Sequence, residues 1–253
     1  MALKSWILIA ASALAVSTAV PEVRSQDLYV VITGKKSDAA PPPAAIALVT
    51  SGQAQTNGTT TVSGLNTTGA TLLLVCNAAD GGTDGASVVT DSKSNTWTRI
   101  NQIANGSGSH ASLWYSTPTS VGASHDFSFN GAFGSATMVQ AFSGTATVSV
   151  LDGSATSNSG SFLGNLQPGS RTPAANGSLL ATCLSMQAGT AAETINSGFT
   201  ISSDMSDAGG TRYPGAFAYL IQSTAAPVNP TWSGTDWAGA RSAAINMQAF
   251  KPQ

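Results

Sequence analysis

Charge is what this chain has least of. Asp, Glu, Lys and Arg make up 9% of 253 residues, against roughly 25% in ordinary globular proteins. The ten basic residues are scattered, with Lys35-Lys36 the one adjacent pair, and the formal net charge is -2. No basic stripe exists to neutralise phosphates, which argues against a nucleic-acid partner. Cysteine is nearly absent: Cys76 and Cys183 stand alone, with no CxxC pair, so a dithiol redox motif is excluded. Histidine is as scarce. His110 and His125 lack HxH or HExxH spacing, so neither anchors a zinc site, and both are expected as exposed polar residues.

Catalytic patterns are missing too. No Gly-x-Ser-x-Gly elbow is present to place a nucleophile between strand and helix. The twelve acidic residues lie singly in loops, which leaves a glycosidase without its carboxylate pair. Asp80, Asp84 and Asp91 are expected as solvated turn residues. An oxygen-rich calcium loop is the alternative, although EF-hand spacing is absent. No catalytic residue, metal or cofactor is assigned, and a non-enzymatic chain is expected.

What the sequence does have is Gly, Ser, Thr and Ala in abundance, turn signals every 8 to 12 residues or so, and one stretch written twice. Thr68-Gly69-Ala70-Thr71-Leu72-Leu73-Leu74-Val75-Cys76 corresponds to Ala175-Asn176-Gly177-Ser178-Leu179-Leu180-Ala181-Thr182-Cys183. Further pairs follow in the same order. Asn95-Thr96-Trp97-Thr98 answers Ser197-Gly198-Phe199-Thr200, Leu113-Trp114-Tyr115-Ser116 answers Phe217-Ala218-Tyr219-Leu220, and Phe127-Ser128-Phe129 answers Pro230-Thr231-Trp232. Met138-Val139-Gln140-Ala141-Phe142 and Asn246-Met247-Gln248-Ala249-Phe250 close the two copies. Cys76 to Cys183, Tyr115 to Tyr219 and Gln140 to Gln248 are separated by 107, 104 and 108 residues, so the spacing holds. The fold expected is all-β: an antiparallel β-sandwich, jelly-roll or immunoglobulin-like, built by duplicating a half-sandwich about a pseudo-twofold. The halves are about 46–150 and 151–253. Thr71 to Cys76, a continuous apolar run, predicts a strand buried on both faces. In Phe127-Ser128-Phe129 the period of two sends both rings to one face. The Ser/Gly-rich stretch after Ser154 reads as a crossing between the halves.

Residues 1–25 have a basic start, an uncharged apolar run from Trp6 to Val20 and a polar region ending at Ser25. Those are the features of a secretory signal peptide. The run is short of the roughly 20 residues of a membrane span, so no stable span is expected. A segment retained against a partner chain is the alternative. Residues 26–45 form a linker: Leu28 to Thr33 is strand-like, and Pro41 to Pro43 stiffen the chain. The strand is expected to pair within its own sandwich, with addition to a neighbour's sheet as the alternative.

Several of these motifs carry a family resemblance. Asp91-Ser92-Lys93-Ser94-Asn95-Thr96-Trp97-Thr98, Leu151-Asp152-Gly153-Ser154, Gln167-Pro168-Gly169-Ser170, Ser197-Gly198-Phe199-Thr200, Asn229-Pro230-Thr231-Trp232 and Ala249-Phe250-Lys251 are similar to an uncharacterised β-sandwich domain. That domain is common in bacteriophage structural proteins and exported bacterial surface proteins. The resemblance spans about residues 46–251. It implies a structural or adhesive sandwich on a virion or cell surface and carries over no catalytic residue.

Two sets of residues are singled out as sites. Cys76 and Cys183 occupy equivalent places in the copies; two buried free thiols are the favoured reading, and a disulfide is the alternative that an exported chain permits. Tyr213 and Trp237, in Gly/Asp/Arg-rich settings, are candidate ligand-binding aromatics. Trp97, Trp114, Tyr115, Tyr219 and Trp232 are assigned to the core.

The function expected is display on a particle or filament, as a phage decoration, spike or tail-associated protein. Its partners would be protein neighbours or copies of itself. The alternative is a secreted carbohydrate- or surface-binding module. The location is then the virion or the extracellular space.

Overall fold

Fifteen strands and no α-helix make up the described part of the chain. The computed structural model describes residues 44–80, 88–106, 108–131, 135–162, 164–187, 193–206, 214–234 and 241–253. The leader-like and linker expectations for residues 1–43 lie outside that set.

The first half contains β1 (Ala47–Thr56), β2 (Thr60–Leu65), β3 (Leu72–Asp80), β4 (Val88–Asp91), β5 (Thr98–Ala104), β6 (Ser109–Ser116), β7 (His125–Asn130) and β8 (Ser135–Ser143). The second contains β9 (Thr156–Phe162), β10 (Ser178–Met186), β11 (Glu193–Ile195), β12 (Thr200–Met205), β13 (Gly215–Gln222), β14 (Trp232–Gly234) and β15 (Arg241–Phe250). In the first half a five-stranded sheet runs β1-β8-β3-β6-β5, and a three-stranded sheet runs β2-β7-β4. In the second a five-stranded sheet runs β9-β15-β10-β13-β12, beside a β14-β11 pair. Replace each strand by its counterpart and the two orders are the same. Isolated bridges Leu166↔Trp232 and Arg171↔Val228 stand where β2 stands in the first copy. All the ladders are antiparallel.

The duplication reaches the register. Cys76 lies opposite Leu113 and Met138, and Cys183 opposite Phe217 and Asn246. Leu72 pairs with Phe142 and Leu179 with Phe250. Even an irregularity is repeated: the β5–β6 ladder shifts register between Arg99 and Asn101, and the β12–β13 ladder between Ile201 and Ser203.

The sequence suggests that half a sandwich is doubled. The structure differs, because each copy carries two sheets of its own and the copies stack through their five-stranded sheets. Three apolar layers result. Leu73, Val75, Trp114, Phe127, Phe129 and Val139 fill the first half. Leu180, Leu184, Phe199, Trp232, Ile245 and Met247 fill the second. Between the five-stranded sheets lie Leu72, Leu74, Cys76, Met138 and Phe142 from one copy, with Leu179, Cys183, Phe217 and Phe250 from the other. β3 thus sends Leu72, Leu74 and Cys76 one way and Leu73 and Val75 the other, as its unbroken apolar run requires. β1 lies beside β12, and β5 lies beside β9. Since β1 corresponds to β9 and β5 to β12, the two seams are one relation with the halves exchanged, which is a pseudo-twofold.

Two local expectations are corrected. Residues 156–162, read as a crossing, form β9, which pairs with β15 from Thr156↔Met247 to Phe162↔Arg241. The pairing groups are main-chain, so a Ser/Gly-rich segment serves as an edge strand without an apolar pattern. Cys76 and Cys183 are not free thiols. They form a disulfide with a Cα–Cα distance of 5.4 Å, inside the central layer. That distance falls in the range a bridge requires, because β3 and β10 are both middle strands of the sheets that face one another.

Candidate functional site

The densest group of chemistry-bearing side chains gathers at one end of the first half. It draws on the β2–β3 turn (Thr67), the end of β4 (Asp91), the β4–β5 loop (Asn95, Trp97) and the start of β7 (His125). His125 Nδ1 lies 2.8 Å from Thr67 Oγ1, and its Nε2 lies 3.1 Å from Asp91 Oδ1. A carboxylate only accepts, so Nε2 carries the proton and Nδ1 accepts from the Thr67 hydroxyl. The Nε2 contact is short but poorly aligned, a weak bond from the ring N–H to the carboxylate. The ring also stacks on Phe127, 4.2 Å between centroids.

Asp91 organises the rest. Its Oδ2 accepts from Trp97 Nε1 at 2.7 Å, and its Oδ1 accepts from the Lys93 amide at 2.8 Å and the Asn95 amide at 3.3 Å. Asn95 passes the network on, its Oδ1 accepting from the Thr119 and Ser120 amides. Burial pushes the Asp91 carboxyl up, but the hydrogen bonds from Trp97 and His125 and from the Lys93 and Asn95 backbone outweigh it and hold the group below its ordinary range.

Hydroxyl, imidazole and carboxylate in a line have the outline of a nucleophilic triad. The surroundings remove that role. Thr67 is fully buried; its backbone amide donates to the Gly122 carbonyl and its hydroxyl accepts from the Gly122 amide, so no substrate carbonyl reaches it. The group is a polar clamp tying three loops together.

These positions correct the histidine and aspartate expectations. His125 is 0% exposed and His110 is 1% exposed, so neither is a surface residue. The Asp91 side chain is fully buried and is not a solvated turn group. Asp80 closes β3, and Asp84 lies outside the described residues. In β6, burial and then the charge of Arg99 pull the His110 pKa down to about 4, which keeps that ring neutral. Arg99 itself sits 5.4 Å from the centre of the Trp114 ring. Among the described residues no group of three or more His, Cys, Asp or Glu is placed to hold a metal ion.

Tyr213 and Trp237 lie outside the described residues. Of the aromatics assigned to the core, Trp232 is fully buried and Trp114 nearly so. Trp97 packs on the first layer. Tyr115 and Tyr219 are partly buried at the margin of the central one.

Two of the clefts on the described surface lie near the seams of the halves. One, about 410 Å³, lies in the β1/β12 seam between residues 51–53 and 201–204. Gln53 already bridges it, donating to the Asp204 carbonyl and accepting from the Asp204 amide. The other, about 270 Å³, is lined by Tyr115, Thr117, Thr147, Ser149, Val150 and Leu151. Sequence reasoning missed it because its wall is the connection between the halves. That wall follows from the pairing of residues 145 and 151 with the C-terminal strand region and not from any local pattern. No family model, curated protein or solved structure matches the chain. Among the described residues no helix is long and apolar enough to cross a membrane.

Proposed function

We propose that this chain is a non-enzymatic structural or adhesive β-sandwich protein, displayed outside the cytosol on the surface of a particle or filament. A virion decoration, spike or tail-associated protein is the form that the resemblance implies. The observation that carries the reading is the Cys76–Cys183 bridge in the layer between the two five-stranded sheets. Structural disulfides belong to oxidising compartments and to virion or cell surfaces, and this one fastens two whole sandwiches across their shared layer.

Two further features support it. The interleaved order of each half, first strand beside last, with β3 between β8 and β6 in one and β10 between β15 and β13 in the other, is one we read as jelly-roll, an architecture found in capsid and lectin domains. The Thr67–His125–Asp91 line is engaged in holding loops, and its three side chains are buried.

The test is to follow the native protein through gradient sedimentation and non-reducing mass analysis. Oxidised protein travelling with particles or filaments is the expected result. Reduced protein confined to the cytosol would overturn the reading. A freely secreted, oxidised monomer would select the second reading, a carbohydrate- or surface-binding module, which the Tyr115 cleft favours.

A further inference from the structure

The Tyr115 cleft is lined by that aromatic residue, by apolar Val150 and Leu151, and by the hydroxyl-bearing residues Thr117, Thr147 and Ser149. Every hydroxyl bond described for the chain leaves four of them unused: those of Tyr115, Thr117, Thr147 and Ser149 make no hydrogen bond within the described residues. Carbohydrates need this mixture, since one face of a pyranose is C–H and its edge is hydroxyl.

The wall is built in advance. The Ala146 amide donates to the Lys251 carbonyl, the Lys251 amide to the Val150 carbonyl, and the Gln253 amide to the Gly144 carbonyl. Thr145 bridges to Pro252 and Leu151 to Phe250. Ser149 is held at φ 48°, a conformation that costs a non-glycine residue on the order of 1–3 kcal/mol and collects at ligand-binding positions. Val148, next to it, is 80% exposed. A ligand here meets a fixed surface and does not have to order a loop.

Charge narrows the ligand. No charged residue lines the cleft, and the Lys251 ammonium beside it donates to the Ser149 carbonyl at 3.0 Å. The volume of about 270 Å³ is just under that of sites for drug-sized ligands, roughly 300–1,000 Å³, which suits a single ring.

We propose that this cleft is a binding site for a neutral sugar, taking one pyranose unit with the Tyr115 ring against its apolar face and the three aliphatic hydroxyls at its edge. The site does not depend on where the protein is displayed, so its loss would leave the display reading untouched.

The test is titration of the ¹⁵N-labelled full chain with methyl glucoside, methyl galactoside, methyl mannoside and N-acetylglucosamine. At least one of them should shift the amides of residues 115–117 and 147–151 saturably, with a Kd on the order of millimolar. Tyr115→Ala should raise that Kd at least tenfold. Because Tyr115 also packs on the central layer, Thr147→Val and Ser149→Ala, both at exposed positions, provide a second measure and should each raise it several-fold. Absence of saturable shifts with all four sugars, or an unchanged Kd in Thr147→Val and Ser149→Ala, overturns the proposal.

Discussion

Cys76 and Cys183 are bonded to one another from equivalent positions of equivalent strands, with their Cα atoms 5.4 Å apart. A pair of symmetry-related residues can meet only beside the axis that relates them. The pseudo-twofold therefore passes between β3 and β10, through the most buried part of the molecule.

Removing that bond should loosen the stack without changing its strands. Cys76→Ala combined with Cys183→Ala frees a 107-residue separation in the unfolded chain, and a cost of about 2–5 kcal/mol is expected. Guanidinium denaturation should give a lower midpoint for the variant. Reductant should lower the midpoint of the parent protein and leave the variant unmoved.

The Asp91 clamp should set the acid limit of the fold. Its folded pKa is depressed below 3.8, so its stabilisation is present above the unfolded value and is lost as pH falls through the folded one. Asp91→Asn keeps one acceptor and turns an NH2 toward either Trp97 Nε1 or the Lys93 and Asn95 amides, with an expected cost of about 2–3 kcal/mol at neutral pH. Urea unfolding between pH 7 and pH 2 checks both points, since the variant should have the flatter acid limb.

His110 acts in a different window. With a folded pKa of about 4 against 6.5 unfolded, the unfolded chain binds the extra proton between those values. Stability should therefore fall as pH drops from 6.5 to 4, by on the order of 3 kcal/mol at full effect. His110→Gln should remove that slope and leave the Asp91 limb below it.

Phe142 and Phe250 test the duplication energetically. Both are fully buried in the central layer, opposite Leu72 and Leu179, and Phe→Ala should cost about 3–5 kcal/mol at each. Phe142 also makes an edge contact with Tyr219, 5.3 Å between ring centres, so Phe142→Ala should be the costlier by about 0.5–1.5 kcal/mol. Chemical denaturation of the two variants measures the difference.

How much of this was legible depended on whether the cause was local. The two-sided burial of β3 and the shared face of Phe127 and Phe129 follow from side-chain order alone, and the structure has both. The repeated motifs identified equivalent strands, and sheet order and register agree. β9 was hidden because its partner, β15, and not its own composition, makes it a strand. His125 was misjudged because its hydroxyl partner Thr67 is 58 residues away, beyond any periodicity. The disulfide was open for the same reason: equivalence between the copies does not say which faces mate. The Tyr115 cleft needs a connecting segment and the final strand together.

The strand order also governs how the molecule is made. β1 pairs with β8 and β9 with β15, so neither sandwich closes until its last strand has left the ribosome. Each sandwich is therefore a closed set of strands within its own stretch of chain, and each leaves one apolar face for its twin. The native bond between the sulfurs joins those two faces.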